Sequence, residues 1–163
     1  EAPTLEAIVA PNAEYLKMTA ADVREARDTL STTTSDKLDA VSLGTPHFSV
    51  DEFRALSEVI GDGPKFAEQI DFYISTSRDV MARSKELGYL DVFLNAGGRV
   101  VTDTCTYVTP VLNRNVKNVM TNSGKWAWYA PGNLGIDTVL GSLSECVASA
   151  RAGKVVRDES LWS

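Results

Sequence analysis

Three short polar runs carry most of the residues in this sequence that could do chemistry. Each run directly follows a stretch of hydrophobic residues, as the end of a buried β-strand does. The runs are Gly44-Thr45-Pro46-His47-Phe48-Ser49 after residues 40–43, Asp103-Thr104-Cys105 after residues 99–102, and Thr121-Asn122-Ser123-Gly124-Lys125 after residues 116–120. Because the carboxyl ends of parallel strands meet at one edge of a sheet, we expect the three runs to border a single crevice.

The third run is suited to hold one anionic group. A helix is predicted to begin here, and the free N–H groups of a helix start together with Lys125 attract a carboxylate or phosphate. The run is similar to the end of an ATP-binding P-loop, but the upstream glycine is missing and Trp126 stands where Ser or Thr would hold magnesium. We therefore expect Asn122, Ser123 and Lys125 to contact a small anion; the alternative is a plain capped turn.

Aromatic residues follow this run and lead into Ala130-Pro131-Gly132. We expect Trp126, Trp128 and Tyr129 to pack in the wall of the crevice, with stacking on a ligand as the alternative. The helix that begins in this run is predicted to end near residue 130.

The single histidine and the two cysteines are the other reactive side chains. His47 precedes a helix start with a Ser49-to-Glu52 capping box, which fixes how the imidazole is presented. Cys146 lies in the first turn of the last predicted helix, where the helix dipole is expected to lower the pKa of its thiol. With Cys105 it could supply two thiolates to an iron site. The alternatives are that both cysteines are buried packing residues, or that one pairs with His47 as in a thiol hydrolase.

Size and charge exclude several classes of function. The 163 residues, 44% hydrophobic and 23% charged, fit one globular domain with a real core. A net charge of -6 argues against a nucleic-acid surface. No apolar run approaches the roughly 18 to 20 residues of a membrane span, and no signal-peptide pattern is present. We expect a cytoplasmic protein and, since the chain begins at Glu1, a trimmed chain or a piece of a longer one.

Short apolar runs alternate with helical patterns from residue 40 onward, which predicts a three-layer α/β/α fold with a mostly parallel open sheet. Residues 1–36 are predicted to form an N-terminal segment with one helix, packing on or linking to the rest of a larger chain, and residues 37–163 the α/β domain that carries the site. The predicted strands lie near 5–10, 40–43, 70–74, 99–103, 116–120 and 137–140. The predicted helices lie near 19–30, 50–60, 77–87, 90–96, 124–130 and 143–152.

Four sequence blocks, in this order, resemble the aconitase X family. They are Gly44-Thr45-Pro46-His47-Phe48-Ser49, Asp103-Thr104-Cys105, Thr121-Asn122-Ser123-Gly124-Lys125 with Tyr129-Ala130-Pro131-Gly132, and Gly141-Ser142-Leu143 with Glu145-Cys146. The similarity spans about residues 40–152 and is to the C-terminal part of the family's large catalytic chain. The family belongs to the aconitase superfamily of dehydratases and includes bacterial cis-3-hydroxy-L-proline dehydratases and archaeal mevalonate 5-phosphate dehydratases.

The resemblance implies a hydro-lyase with an iron or iron-sulfur centre as Lewis acid. Cys105 and Cys146 would be two of its ligands. The resemblance places a further cysteine in the remainder of the large chain, and a serine base on a small swivelling domain or subunit.

For such a dehydration, cationic and N–H donors must hold the carboxylate and stabilise the charge that develops on it. We therefore assign Asn122, Ser123 and Lys125 to the substrate carboxylate and Thr45 and His47 to the substrate or its departing hydroxyl, with His47 and Lys125 as the catalytic residues. We favour cis-3-hydroxy-L-proline over mevalonate 5-phosphate as substrate, because a phosphate group would call for more cationic residues. The alternative from another class is a non-catalytic α/β module for ligand binding or assembly.

Overall fold

The hydrophobic runs form a parallel sheet in a computed structural model that describes residues 3–45, 47–104, 106–107 and 109–163. Its strands are β1 (Ala40–Leu43), β2 (Asp71–Thr76), β3 (Arg99–Thr102), β4 (Asn118–Thr121) and β5 (Asp137–Leu140). The order across the sheet is β3-β2-β1-β4-β5, and every neighbouring pair is parallel. The predicted open parallel sheet is confirmed.

Helices cover both faces of this sheet. They are α1 (Ala20–Thr29), α2 (Val50–Ile60), α3 (Arg78–Glu86), α4 (Tyr89–Asn95), α5 (Gly124–Leu134) and α6 (Leu143–Ala152), followed by a 3₁₀ turn at Glu159–Trp162. Helices α2, α3, α4 and α6 pack on one face, and α5 packs on the other. No helix in the described part of the chain is long and apolar enough to cross a membrane.

Strand β1 lies at the centre of both cores. Val41 and Leu43 belong to the larger apolar cluster, under α2, α4 and α6, whereas Ala40 belongs to the smaller cluster under α5. All four residues of β1 are buried. Because successive side chains of a strand point to opposite faces, burial on both faces explains why β1 lacks an alternating polar pattern.

The start of α2 is built as the sequence predicts. Ser49 and Glu52 form a reciprocal capping box, and the Phe48 and Phe53 rings pack edge to face with centroids 5.1 Å apart. These contacts are local, three to five residues apart, which is why the sequence reveals them. The helix ends at Gly61, whose positive φ of 48° suits glycine and whose N–H donates to the Ser57 carbonyl at 2.9 Å.

Helix α5 continues past the predicted end near residue 130. Pro131 lies inside the helix and has no N–H to donate to the carbonyl of Ala127. The Thr138 hydroxyl on β5 lies 3.4 Å from that carbonyl but donates its single proton mainly to the Leu30 carbonyl, at 3.0 Å. The helix ends at Gly135, which adopts the left-handed φ of 65°.

The predicted strand at residues 5–10 is wrong. This stretch forms turns, with the N–H groups of Ile8 and Val9 both donating to the carbonyl of Leu5 at 3.1 Å. Leu5 and Ile8 are exposed, and no described strand lies alongside to complete a ladder. The proposed boundary between residues 1–36 and 37–163 stays a prediction.

Candidate functional site

The polar strand ends meet at a pocket on the carboxyl edge of the sheet. Strand order reverses between β1 and β4, and open α/β folds bind ligands in the crevice at such a reversal. The pocket has a volume of about 530 Å³ and is lined by Thr45, His47, Ser75, Asp103, Thr104, Tyr107 and Lys125. Members of all three polar runs therefore line a single crevice.

The loop at residues 44–49 is fastened to strand β2. Gly44 has a φ of 78°, and a side chain there would collide with the backbone of Ser75 and Phe48. The Phe48 N–H donates to the Ser75 carbonyl at 2.8 Å, and the Thr76 hydroxyl donates to the Phe48 carbonyl at 2.6 Å. These bonds hold Thr45 and His47 over the pocket; Pro46 lies outside the described residues.

The loop after β3 presents a carboxylate that is already paired. Asp103 has a left-handed φ of 52°, a conformation that aspartate tolerates, and its N–H donates to the Thr76 carbonyl at 3.0 Å. Its carboxylate pairs with the Arg78 guanidinium at 2.5 Å and accepts the Arg78 backbone N–H at 3.2 Å. Lys125 makes no ion pair with the described residues, so its charge is available to a ligand.

Trp126 packs against the loop that follows β3. Its side chain is fully buried, and its indole N–H donates to the Thr106 hydroxyl at 2.9 Å. The ring of Tyr107 stacks on the indole with centroids 6.5 Å apart, and its hydroxyl donates to the Trp126 carbonyl at 3.2 Å. Helix α5 therefore positions both Lys125 and the loop opposite it.

The other two aromatic residues do not line the crevice, contrary to the sequence prediction. Trp128 is 66% exposed and lines a separate groove with Ala26 and Leu30, beside α1. Tyr129 is half exposed and touches the edge of Tyr107. Successive helical residues differ by about 100° in direction, so the buried Trp126 turns Trp128 away from the sheet.

The Ser123 hydroxyl connects the start of α5 to the loop after β1. It accepts the Trp126 N–H at 3.2 Å as the N-cap of α5 and donates to the Thr45 carbonyl at 2.9 Å. Neither Asn122 nor Ser123 lines the pocket, whereas Lys125 does. Substrate contacts by Asn122 and Ser123 stay predictions, and Ser123 has a clear positioning role between the two loops.

Cys146 lies in the core. It is fully buried in the apolar cluster that includes Met120, Val139 and Val147, and it does not line the pocket. Burial raises the pKa of its thiol far above the ordinary value, and the neighbouring Glu145 carboxylate raises it further. The predicted lowering of this pKa by the helix dipole is therefore wrong, because loss of solvation outweighs the dipole. An enclosed thiol also cannot act as the nucleophile of a hydrolase.

The described residues do not by themselves fit an iron or iron-sulfur centre. They contain no group of three or more His, Cys, Asp or Glu side chains that could hold a metal ion. Cys146 is surrounded by apolar side chains, and Cys105, the other expected ligand, lies outside the described residues. Any such centre needs ligands beyond those described.

We expect Cys146 to behave as a packing residue. Cys146→Ser should lower the free energy of unfolding by about 1–3 kcal/mol, because it leaves a hydroxyl unpaired among apolar side chains. Cys146→Ala, which adds no polar group, should lower it less. Chemical unfolding of the intact protein measures both values. Rapid alkylation of Cys146 in the folded protein, detected by peptide mass spectrometry, would contradict this assignment.

Comparison with known proteins identifies the family. Residues 38–152 match the third domain of aconitase X. A cis-3-hydroxy-L-proline dehydratase from Pseudomonas aeruginosa is 33% identical over 142 residues, covering 86% of this chain and 24% of that protein. The phosphomevalonate dehydratase large subunit of Methanothermobacter thermautotrophicus is 37% identical over 126 residues, covering 77% of this chain and 31% of that subunit.

A solved structure agrees with this assignment. The holo-form of aconitase X from Thermococcus kodakaraensis superimposes with a TM-score of 0.68 at 27% identity, over 80% of this chain and 33% of that one. The chain thus spans about a quarter to a third of the length of these relatives. The resemblance seen in the four sequence blocks is confirmed, and the chain belongs to the aconitase X family, with residues 38–152 corresponding to its third domain.

Proposed function

We propose that this chain supplies the substrate-anchoring part of a dehydratase that removes water from a small 3-hydroxy acid, cis-3-hydroxy-L-proline. The observation that carries the proposal is that one pocket is lined by Thr45, His47 and Lys125, the three residues that we expect to contact the substrate from their positions after the strands. Relatives that dehydrate hydroxy acids support the reaction class.

Dehydration of such an acid has two difficult parts. A poorly acidic proton next to a carboxylate must be removed, and hydroxide, a poor leaving group, must depart. The Lys125 ammonium at the start of α5 binds the carboxylate and stabilises the negative charge that develops on it as the proton leaves. His47, on the loop across the crevice, contacts the departing hydroxyl.

The charges around the pocket favour a substrate with a single anionic group, a carboxylate, over a phosphorylated one. Lys125 is the one Lys or Arg among the described residues that line it, and the carboxylate of Asp103 is neutralised by Arg78. A phosphate carries up to two negative charges and is usually held by several cationic groups. Sequence identity does not separate the two classes, since relatives of both are about one-third identical to this chain.

The proposal extends to parts of the assembly beyond this chain. The remainder of the large chain and a small swivelling domain or subunit would complete the active site and supply the base. An iron or iron-sulfur centre belongs to the proposal for the assembly, with Cys105 as a ligand. Cys146 is left out of the ligand set on the grounds of its apolar surroundings.

Turnover by the intact assembly tests the proposal. Purified protein should remove water from cis-3-hydroxy-L-proline with a kcat/KM far above that for mevalonate 5-phosphate, measured by product formation. Preference for mevalonate 5-phosphate would overturn the substrate assignment. Tight binding of the hydroxy acid without loss of water would support the alternative of a non-catalytic ligand-binding module.

A further inference from the structure

The side chain of Ser75 is a buried hydroxyl that lines the pocket of the proposed active site. It is 2% exposed, and its Oγ forms no hydrogen bond with any residue that the structure describes. Two other serines, Ser42 and Ser84, share this property, but of the three only Ser75 lines the pocket. Buried polar side chains are nearly always hydrogen-bonded, so an unpaired hydroxyl at a pocket indicates a missing partner.

The position of Ser75 is fixed by the loops on either side of β2. Its carbonyl accepts the Phe48 N–H at 2.8 Å, which ties it to the loop that carries His47. The next residue, Thr76, accepts the Asp103 N–H at 3.0 Å and so ties β2 to the loop after β3. Ser75 therefore lies between the two loops that form the pocket, on a strand that leaves its backbone little freedom.

Ser75 and Lys125 differ in how far they are buried, and this difference suits them to different groups of the substrate. Lys125 is exposed, whereas Ser75 lies deep in the pocket. A carboxylate placed beside Ser75 would lose its solvation and gain one neutral donor, which is an unfavourable exchange. A neutral hydroxyl needs only one or two hydrogen bonds, and a serine can both donate and accept them.

We propose that the Ser75 hydroxyl hydrogen-bonds the hydroxyl group of the substrate, while Lys125 holds the carboxylate. This inference rests on the proposed function and adds a residue that determines specificity for the hydroxylated acid. The proposed hydrogen bond gives the Ser75 hydroxyl a partner, which the described residues do not supply.

The test compares Ser75→Ala with the wild type in the intact assembly, using two ligands that differ by one hydroxyl. The variant should lower kcat/KM for cis-3-hydroxy-L-proline by about 5- to 20-fold, as loss of one buried hydrogen bond does. The inhibition constant of L-proline, which lacks the hydroxyl, should change less than about twofold. Equal losses for both ligands would overturn the inference, because Ser75 would then act on the carboxylate or on the pocket as a whole.

Ser84→Ala is the matched control. It removes an equally buried, unpartnered hydroxyl away from the pocket and should leave kcat/KM unchanged. Neither variant should lower the Tm, since neither loses a hydrogen bond and each removes a buried hydroxyl that has no partner among the described residues. A wild type that turns over no hydroxy acid would defeat the proposed function, whereas an active wild type with an equally active Ser75→Ala would defeat this inference alone.

Discussion

Lys125→Met should lower kcat/KM of the assembled dehydratase by roughly 10²–10³-fold, the usual effect of removing one preorganised donor from a developing negative charge. Methionine keeps most of the length of the side chain and loses only the ammonium. Lys125 lies in the first turn of α5, lines the pocket and has no ion-pair partner among the described residues. Its charge is therefore available to a ligand and contributes little to folding.

Steady-state kinetics on the intact assembly, with Tm and metal content measured in parallel, would check this result. Lys117→Met is the matched control, because Lys117 is exposed and lies outside the pocket. It should leave kcat/KM unchanged. A Lys125→Met enzyme that keeps kcat/KM within twofold of wild type would remove Lys125 from the active site.

Trp126→Ala should lower the free energy of unfolding by about 3–5 kcal/mol, because it empties the centre of the smaller core. The indole is fully buried against Ala40 and Val119, under α5. Trp126→Phe keeps much of this packing but removes the hydrogen bond to Thr106, which is itself 3% exposed. We expect it to lower stability by about 1–3 kcal/mol and to reduce kcat/KM as well, since the loop with Asp103 loses a support.

Trp128→Ala provides the comparison within the same helix. Trp128 is 66% exposed, so its removal should change the free energy of unfolding by no more than about 0.5 kcal/mol. Denaturant unfolding followed by far-UV circular dichroism avoids relying on tryptophan fluorescence, which the substitutions themselves alter. Similar losses for the two tryptophans would show that Trp126 has no special role in holding the site.

The elements set by local contacts were predictable from the sequence. The capping box at Ser49 and Glu52 and the strand ends at residues 44, 103 and 121 depend on spacings of a few residues. The extension of α5 through Pro131 was not predictable, because it depends on tertiary packing. The helix lies against β4 and β5, which come together only when the sheet forms.

The residues of the site were predictable only where they follow a strand. Thr45, His47 and Lys125 do so, and all three line the pocket. Ser75 was missed because it lies within β2, where its lack of a partner depends on neighbours from distant parts of the chain. Its polar character beside the apolar Ile74, near the carboxyl end of a buried strand, was the available signal. The pKa of the Cys146 thiol was misjudged because the position of a thiol in a helix says nothing about the packing around it.

The hydrogen bond from Ser123 to the main-chain oxygen of residue 45 has an evolutionary consequence. Every amino acid at position 45 has this carbonyl oxygen, so substitutions of the side chain there can occur without loss of the hydrogen bond as the enzyme adapts to new substrates. Position 123 has no such freedom, because a single hydroxyl must cap one helix and fasten a distant loop at once. We therefore expect enzymes with different substrate preferences to differ at position 45 and to keep serine at position 123.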